Sequence, residues 1–529
     1  MRRFLIGSAL FFIPVVHACG LAGAQLVPLA GVPGDPSLSK ERFNLRQFIR
    51  GIAKVEIPAD DNQAIGEEVP GVADVGGVPS RIVSQKKSIT RSFESVAAFD
   101  PNADVLWPGS VVQGKSIESG ILAPIALGRK SGTVTVKNLT IEGPSAEYSR
   151  EIANPSNATL QKAIMDIVTQ NLPVHSGALL SYESASYSSV EHALLQMGVS
   201  AKWLTTNVKA NLEAEQSAKR SNMIVRLTQA YYSASFSPPS APESFFSDDV
   251  TPDDAALYME AKSENGHSNP PVYVSTVTYG RSLYFFISSN EESSRLKAAV
   301  ESSFKAGVAN VSVNVKAEHD RVIQESDVRA MVLGGSGNSA VQLLTGDKIA
   351  GIEKFLREGA NYAPSSPGVP ISYQLRYLKD NDVAKLSLTT EYDDRRVTPM
   401  TVKQILVTFH TLDDDKDPQE ALDAWAYLGN RELFHERFAQ GQTWPDHTSR
   451  DRTFNLPAGV TYDQVKNVSL RVRKGQDGSY HGKGWHVAIE ARAVLEDGRQ
   501  MLVLPVTDPL SFGDGHDFDQ SFPLLRPKK

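Results

Sequence analysis

An eight-residue stretch of the chain matches the phosphate-binding loop pattern G-x-x-x-x-G-K-S. It runs from Gly109 to Ser116 and places Lys115 beside the final serine. Such a loop binds phosphate only where a buried strand enters it and a helix leaves it, because backbone amides and the helix N-terminus then surround the anion. Trp107 and Pro108 precede the loop, and proline is disfavoured in a central strand. The sequence therefore predicts a surface loop here and no nucleotide cofactor.

The other patterns that could support catalysis or metal binding are incomplete. His435-Glu436 lacks the second histidine that a zinc-binding helix places four residues after the first. Two acidic runs, at 413–417 and 514–519, lack the spaced ligands, central glycine and terminal glutamate of a calcium-binding EF-hand. Both runs are typical of solvated turns. We therefore expect no catalytic residue, no metal, no cofactor and no enzyme activity.

The first 24 residues have the composition of an export signal. Arg2 and Arg3 precede an apolar stretch, and residues 22–24, Ala-Gly-Ala, form a typical cleavage pattern. Cleavage after residue 24 would remove Cys19, the only cysteine of the 529-residue chain. We predict a signal peptide over 1–24 and a secreted protein, with a lipid anchor at Cys19 as the alternative.

Charge and hydropathy exclude two classes of protein. The net charge of -7 excludes a dedicated nucleic-acid binder, which would carry a basic face. No segment after the signal has the roughly 18 to 20 apolar residues that a membrane helix needs. Hydrophobic residues make up 41% and charged residues 22% of the chain, which is ordinary for a globular protein.

The order of the predicted elements indicates an α+β protein. Residues 25–80 are rich in glycine, proline and acidic side chains, with one helix-like stretch at 40–52, and are predicted to form a weakly packed N-terminal extension. Residues 81–397 mix short strands with amphipathic helices, such as 157–171. Residues 398–529 alternate strands and turns, which is typical of an antiparallel β-sandwich.

Two segments, at about 203–232 and 308–331, alternate apolar and polar side chains. A membrane β-hairpin has this pattern because one face of each strand meets lipid and the other meets the lumen. The positions predicted to face lipid are Leu204, Val208, Leu212, Met223, Val225, Leu227, Val311, Val313 and Val315. Ordinary half-buried hairpins give the same alternation, and 207–220 also suits a helix, so periodicity leaves all three interpretations open.

Several motifs in a fixed order resemble those of the cholesterol-dependent (thiol-activated) cytolysins. Residues 270–281 are similar to the family's P-P-x-x-V-x-x-V-x-Y-G-R strand, and 332–335 to its V-L-G-G hinge. Residues 369–373 are similar to its Y-P-I-S-Y strand, and the resemblance extends over roughly 80–395. It implies an elongated fold with a bent antiparallel sheet flanked by helices, followed by a C-terminal β-sandwich for membrane or receptor recognition.

The resemblance also implies a mechanism. Soluble monomers bind a membrane and associate edge to edge into a ring, and two helical clusters in each monomer then refold into membrane hairpins. Exposed strand edges favour pairing with a neighbour, and only a closed barrel satisfies the backbone in lipid. Gly334 and Gly335 match the family's hinge, and Tyr187 matches a tyrosine that aligns the strands. Where the family often has an aromatic partner for this tyrosine, the register here places Val328.

The C-terminal region departs from the family pattern. The family carries the Trp-rich undecapeptide E-C-T-G-L-A-W-E-W-W-R, but the corresponding residues 473–485 contain no cysteine and one tryptophan. Trp485 is predicted to be either a membrane anchor or a core residue of the sandwich. The sequence thus indicates a divergent relative whose receptor has changed.

These features together predict a secreted pore-forming toxin that oligomerises on a membrane and inserts a β-barrel. Its expected partners are a lipid or receptor of the target-cell membrane and further copies of itself, with a second cytolysin-like subunit as a further possibility. The alternative is a secreted receptor-binding or partner subunit that retains the fold without forming pores alone.

Overall fold

The computed structural model of the chain describes residues 39–97, 104–117, 122–138, 147–170, 177–199, 209–210, 212–213, 216, 219–261, 267–304, 313–333, 342–343, 346–358, 362, 368–476, 484–512 and 519–524. The predicted signal peptide with Cys19, and the predicted site residues Leu204, Val208, Val311, Gly334 and Gly335, lie outside these ranges. Val313 and Val315 belong to a helix whose first side chains are not described.

The β-strands contain more of the described residues than the helices do. The strands are β1 (Asp61–Val75), β2 (Val78–Phe93), β3 (Val96–Ala97), β4 (Val111–Gln113), β5 (Gly132–Lys137), β6 (Ser149–Ile152), β7 (Leu179–Ser186), β8 (Ser221–Phe236), β9 (Pro271–Ser289), β10 (Asp327–Leu333), β11 (Gln342–Leu343), β12 (Val369–Tyr377), β13 (Val383–Ala384), β14 (Leu386–Pro399), β15 (Val402–Thr411), β16 (Glu420–Leu428), β17 (Arg431–Phe438), β18 (Ser449–Asn455), β19 (Val468–Gln476), β20 (Trp485–Leu495), β21 (Gln500–Leu504), β22 (Leu510–Phe512) and β23 (Asp519–Pro523).

The helices lie mainly between strands of the central sheet. They are α1 (Lys40–Gly51), α2 (Asn157–Gln170), α3 (Val190–Gln196), α4 (Pro252–Ala256), α5 (Ser293–Phe304), α6 (Val313–Glu325) and α7 (Lys348–Glu358). None of the helices in the described ranges is both long and apolar enough to cross a membrane.

Helix α1 is part of the main core and not a weakly packed extension. The hydroxyl of Ser39 accepts a hydrogen bond from the backbone N–H of Arg42 and caps the helix N-terminus. Leu45, Ile49 and Ile52 are fully buried in the largest hydrophobic cluster, because their spacing places them on one helix face. The helix-like stretch predicted at 40–52 is therefore present, but it packs into the core instead of belonging to a weakly packed extension. By contrast, β1 is a solvent-exposed strand at the edge of its sheet.

The central sheet is built around strand β9, which has 19 residues. Strand β8 pairs with β9 over most of its length, while the other edge of β9 is shared by two strands in succession. Residues 272–280 of β9 pair with β12, and residues 282–288 pair with β10. The sheet therefore changes its strand composition at residue 281. We call the part in which β9 pairs with β12 the upper half, and the part in which β9 pairs with β10 the lower half.

Where β9 changes its partner strand, the backbones of β8 and β9 approach closely, which explains why the motif has a glycine at position 280. The register of β8 shifts between Ala230 and Tyr232, which leaves Tyr231 as an extra residue opposite Gly280. A Cβ atom on Gly280 would lie 2.1 Å from the carbonyl oxygen of Gln229, so no larger residue fits without moving β8. We call this point the bend.

The C-terminal region consists of two antiparallel sheets around one hydrophobic core. One sheet has the order β18-β15-β20-β21 with β22 beside β20, and the other has the order β17-β16-β19-β23. Both supply buried side chains to the same cluster. A separate three-stranded sheet, β1-β2-β14, connects this sandwich to the rest of the molecule through the β14–β15 junction.

Candidate functional site

The lower half of the central sheet carries two helical connections between neighbouring antiparallel strands. Residues 187–220, which contain α3, connect β7 to β8, and we call them the first helical segment. Residues 290–326, which contain α5 and α6, connect β9 to β10 and form the second helical segment. Each segment therefore starts and ends on strands that are already paired in the same sheet.

The second helical segment packs on one face of the sheet through apolar side chains. Leu296, Val300 and Phe304 of α5 are buried against strands β8 to β10. The ring of Phe304 lies 5.2 Å from that of Phe285, centroid to centroid. The spacing of four residues places the three α5 side chains on one helix face, which is why the helix binds the sheet there.

The first helical segment packs on the opposite face and also makes polar contacts with the three-stranded sheet. Val190 and Leu194 of α3 are fully buried beneath the lower strands. The hydroxyl of Ser188 donates a 2.9 Å hydrogen bond to Asp394 on β14. His192 stacks on Tyr392 of the same strand, with 4.2 Å between ring centroids.

Burial determines the protonation of His192. Desolvation lowers the pKa of this imidazole to about 4; Asp394 raises it, and Arg91 and Lys87 lower it further. The ring is therefore neutral near pH 7, and its Nε2 lies 2.8 Å from the side-chain nitrogen of Gln196. Protonation would place a positive charge on a buried ring, which is unfavourable.

Arg220 links three regions at the end of the first helical segment. Its guanidinium lies 2.9 Å from a carboxylate oxygen of Asp463, in a 3₁₀ turn of the C-terminal sandwich. It also lies 3.1 Å from Glu292, which precedes α5 in the second helical segment. Because Arg220 and Asp463 are both mostly buried, this ion pair is less screened than one on the open surface.

The two edges of the lower sheet differ in their cover. On one side, β7 pairs with no strand other than β8 among the residues that the structure describes, and Leu179 and Leu180 are 67% and 52% exposed. On the other side, β10 is covered by β11, which pairs through only two residues, Gln342 and Leu343. An unpaired edge and a lightly covered edge are the two surfaces that strand pairing between copies requires.

The structure gives the predicted lipid-facing residues different environments. Met223, Val225 and Leu227 lie on β8, which is already paired with β7 and β9, and their side chains are buried in the core beneath α5. Leu212 is buried on the opposite face, with α3. Alternation in 223–231 is thus accounted for by an existing strand. The helical segments overlap the predicted 203–232 and 308–331 only in part, because each segment begins and ends before the corresponding predicted range.

Tyr187 has an aromatic neighbour in the monomer. Its ring packs edge-on against Phe286 of β9, with 6.2 Å between centroids. Val328 is buried on the other face of the sheet, among the residues that contact α5 and α6. The role of Tyr187 in aligning strands between copies stays a prediction, as does the hinge at Gly334 and Gly335.

Trp485 is a core residue and not a membrane anchor in this conformation. It is 0% exposed, and its indole N–H donates a 3.2 Å hydrogen bond to the hydroxyl of Thr411. Its ring packs edge-on against Trp444. Of the two roles considered for Trp485, the structure therefore has the one in the sandwich core.

The far end of the sandwich carries polar loops. Loop 412–419 contains four aspartates, and loop 439–448 contains Asp446. The backbone N–H of Asp446 donates a 2.8 Å hydrogen bond to Asp415. Buried Lys416 joins the two loops by donating to the carbonyl oxygens of Ala439 and Gln442 at 2.8 and 2.9 Å. Burial lowers the pKa of Lys416 to about 8.

The stretch that resembles a phosphate-binding loop has another geometry. Val111–Gln113 is a short strand, and the following 3₁₀ turn has three residues instead of a helix. The backbone N–H groups of Gly109 and Gly114 donate to the carbonyl oxygens of Val274 and Pro270. Within the ranges that the structure describes, no group of three or more His, Cys, Asp or Glu side chains could hold a metal ion.

The similarity of the chain to known proteins agrees with this geometry. A family model described as thiol-activated cytolysin matches residues 73–399, more than half of the chain. The chain belongs to the thiol-activated cytolysin family. Members of this family are pore-forming toxins and not enzymes, and its homologues are secreted toxins that act on target-cell membranes.

Similar cytolysins cover most of the chain at low identity. Tetanolysin of Clostridium tetani is 26% identical over 433 residues, which is 77% of this chain and 76% of that protein. Ivanolysin of Listeria ivanovii is 27% identical over 386 residues, 70% of each protein.

Solved cytolysin structures share the fold over nearly the whole molecule. The crystal structure of listeriolysin O superposes with a TM-score of 0.59 at 19% identity and covers 92% of each chain. The crystal structure of the human-specific toxin intermedilysin gives 0.58 at 20% identity, with 92% of this chain and 99% of that one covered. The α+β cytolysin fold predicted from the sequence is therefore confirmed.

Sequence reasoning did not identify the polar contacts of the first helical segment. Arg220, Asp463, His192 and Asp394 come from three separate parts of the chain, and no local pattern marks them. Gly280 could have been found, because it belongs to the quoted strand motif and glycine in a strand indicates close backbone approach.

Proposed function

We propose that the chain is a secreted pore-forming toxin that oligomerises on a membrane and inserts a β-barrel. The observation that carries this proposal is the pair of helical segments, which connect antiparallel strands of one sheet and lie on its opposite faces. If each segment became extended, it would lengthen the two strands that flank it. The lower sheet would then grow into two long hairpins.

The lengths of the helical segments suit this conversion. Each contains about 35 residues. A membrane β-strand needs roughly 9 to 11 residues, so one segment supplies two strands and a connecting turn. The strands flanking the segments would remain above the membrane and keep their present pairing.

The second helical segment has the alternation that a membrane hairpin requires. Between 294 and 308, the even positions are mostly apolar and the odd positions mostly polar, and between 310 and 318 this parity is reversed. A turn near 307–310 would place both apolar sets on one face. Leu296, Val300 and Phe304 would then contact the sheet in the helical form and lipid in the extended form. This is possible because residues spaced four apart lie on one face both in a helix and in a strand.

The first helical segment repeats this arrangement. From 193 to 203 the odd positions are Ala, Leu, Met, Val, Ala and Trp, and from 206 to 214 the even positions are Thr, Val, Ala, Leu and Ala. A turn near 204–205 would bring these sets to one face. We therefore propose membrane hairpins within 187–220 and 290–326, which replace the boundaries predicted from alternation alone.

We propose that membrane recognition uses a receptor with a polar surface. The aspartate-rich loops at the end of the sandwich are poorly suited to insertion into lipid, since carboxylates are costly to bury. Intermedilysin, which shares this fold, has been solved with human CD59, so a protein receptor occurs among such toxins. Cholesterol depletion of target membranes is accordingly expected to leave binding largely unchanged, which sedimentation with vesicles would measure.

A matched pair of charge substitutions tests the proposed hairpins. Val313→Lys places a charge on the lipid face and should abolish dye release from liposomes reconstituted from target-cell membranes with their proteins, because a mid-bilayer lysine costs roughly 2 to 4 kcal/mol per strand. Asn314→Lys places the same charge on the lumen face and should retain release. Both variants should bind the liposomes as the unchanged protein does.

Two outcomes would contradict the proposal. Equal dye release by Val313→Lys and Asn314→Lys would remove the membrane assignment of the second helical segment. Binding without any release by the unchanged protein would favour a receptor-binding or partner subunit.

A further inference from the structure

A cavity of about 360 Å³ lies beside the bend of the central sheet. Its walls come from helix α2, from β8 and β9, and from the start of β12. The lining includes Leu106, Met165, Tyr232, Tyr279 and Pro370. Its volume falls within the range of about 300 to 1,000 Å³ that small-molecule sites occupy.

The floor of the cavity is aromatic. The rings of Tyr232 and Tyr279 stack with 5.0 Å between centroids and an angle of 18°. Both residues are almost fully buried. None of the described lining residues carries a charge, so the cavity offers nothing to neutralise an ionic ligand.

Two polar atoms of lining residues have no hydrogen-bond partner within the described structure. They are the hydroxyl of Tyr279 and the side-chain oxygen of Asn157 at the N-terminus of α2. A buried polar atom without a partner is unfavourable, and such atoms in native proteins commonly mark a site that something else completes. A hydroxyl can donate to a ligand, and an amide oxygen can accept from one.

We propose that this cavity binds a small neutral ligand that has an aromatic ring and one group able to donate and accept hydrogen bonds. An aromatic amide or a phenol has this chemistry. Its ring packs on the tyrosine floor, and its polar group forms hydrogen bonds with the hydroxyl of Tyr279 and the side-chain oxygen of Asn157. The site is separate from the helical segments and from the polar loops of the sandwich.

A bound ligand would hold the sheet in its bent form. The cavity exists because β8 carries an extra residue at the bend and because β12 meets β9 at Gly280. A ligand that contacts α2, the two tyrosines and the start of β12 together stabilises their present arrangement over any other. This second part of the inference rests on the proposed function, in which the sheet must change shape.

Binding is tested on the full chain with benzamide as the neutral probe and benzoate as its charged counterpart. Ligand-observed NMR should detect benzamide binding, with benzoate at least about tenfold weaker because its charge is not compensated in the cavity. Tyr279→Phe should weaken benzamide about tenfold, and Met165→Trp should block it by filling the cavity from its half-exposed side. Tyr273→Phe, on the same strand but outside the cavity, should bind as the unchanged protein does.

Absence of benzamide binding would overturn the inference, and so would equal binding by the unchanged, Tyr279→Phe and Met165→Trp proteins. Circular dichroism shows whether each variant is folded, and the two substitutions act at separate points of the cavity. In a dye-release assay, benzamide should slow release by the unchanged protein and not by Met165→Trp. Unaltered release at saturating benzamide would overturn the second part alone, whereas no release without benzamide would be a failure of the proposed function.

Discussion

The second helical segment is held to the sheet mainly by apolar side chains, whereas polar groups of the first also bind β14 and the C-terminal sandwich. Leu296, Val300 and Phe304 of the second segment are buried against β8 to β10. In the first segment, Ser188 contacts β14, and Arg220 contacts the C-terminal sandwich. The two segments therefore resist release for different physical reasons.

This difference indicates how each segment is released. Ion pairs and buried polar contacts weaken when a neighbouring domain moves, when a group changes its charge or when salt screens it. Apolar packing is insensitive to these changes and is given up only where another apolar environment, such as lipid, replaces it. We expect the first segment to respond to the C-terminal sandwich and the second to respond to the bilayer.

The largest effect is expected at the apolar contact of the second segment. Phe304→Ala should lower the free energy of unfolding by about 3 kcal/mol, because it removes a buried ring and leaves a cavity beside Phe285. Leu257→Ala is the control, since that side chain is 78% exposed and its loss should cost less than about 0.5 kcal/mol. Guanidinium denaturation measures both, and a Phe304→Ala loss as small as the control's would refute apolar anchoring.

Acid should loosen the first segment and spare the second. The pKa of His192 is near 4 in the folded protein and near 6.5 when released, so the stabilisation is complete above pH 6.5 and declines as the pH falls towards 4. At pH 5 the loss is about 2 kcal/mol at most, at roughly 1.4 kcal/mol per pH unit. Hydrogen exchange of α3 and α5, corrected for intrinsic rates, measures it.

The control for this pH effect is His192→Gln, which cannot take up the proton. In this variant the protection of α3 should no longer fall between pH 7 and pH 5 beyond that of α5. Equal loss of protection in both helices of the unchanged protein would show that His192 does not distinguish the two segments.

The smallest effect is expected at the ion pair between Arg220 and Asp463. Arg220→Gln should reduce protection of the first segment by about 1 kcal/mol, since the two side chains keep 16% and 21% of their exposure and water still screens part of their attraction. Combining it with Asp463→Asn should add little, because both substitutions remove the same contact. High salt should reproduce part of the change. Additive effects of the two substitutions would mean that the pair does not couple the sandwich to the segment.

The fold was predictable because its evidence is spread over several motifs. Strand 270–281 with Gly280 was marked by its residue order and became the centre of the bent sheet. The boundaries of the refolding segments were not predictable in the same way. Met223, Val225 and Leu227 alternate because β8 is already a strand with an apolar face, and alternation cannot separate a strand of the monomer from one formed later.

The helix α1 and Trp485 illustrate two further limits. The helix-like stretch at 40–52 was visible in the sequence, but the polar composition of 25–80 did not indicate that Leu45, Ile49 and Ile52 would be buried in the main core, because average polarity says little about one helix face. The sequence favoured the sandwich core over a membrane interface for Trp485 but left both roles open. Only the surrounding sheets decide between these roles, and they place it beside Trp444.

The spacing of Leu296, Val300 and Phe304 has a consequence for how this sequence can change over time. In the proposed function, each of these positions has to suit two environments, a helix face that leaves the sheet and a strand face that meets lipid. A replacement that improves one state by shape, such as a β-branched residue, weakens the other by propensity. Evolutionary drift at these sites is thereby confined to side chains that both states tolerate. In a library of substitutions, fewer amino-acid types should retain activity at these three positions than at neighbouring exposed positions.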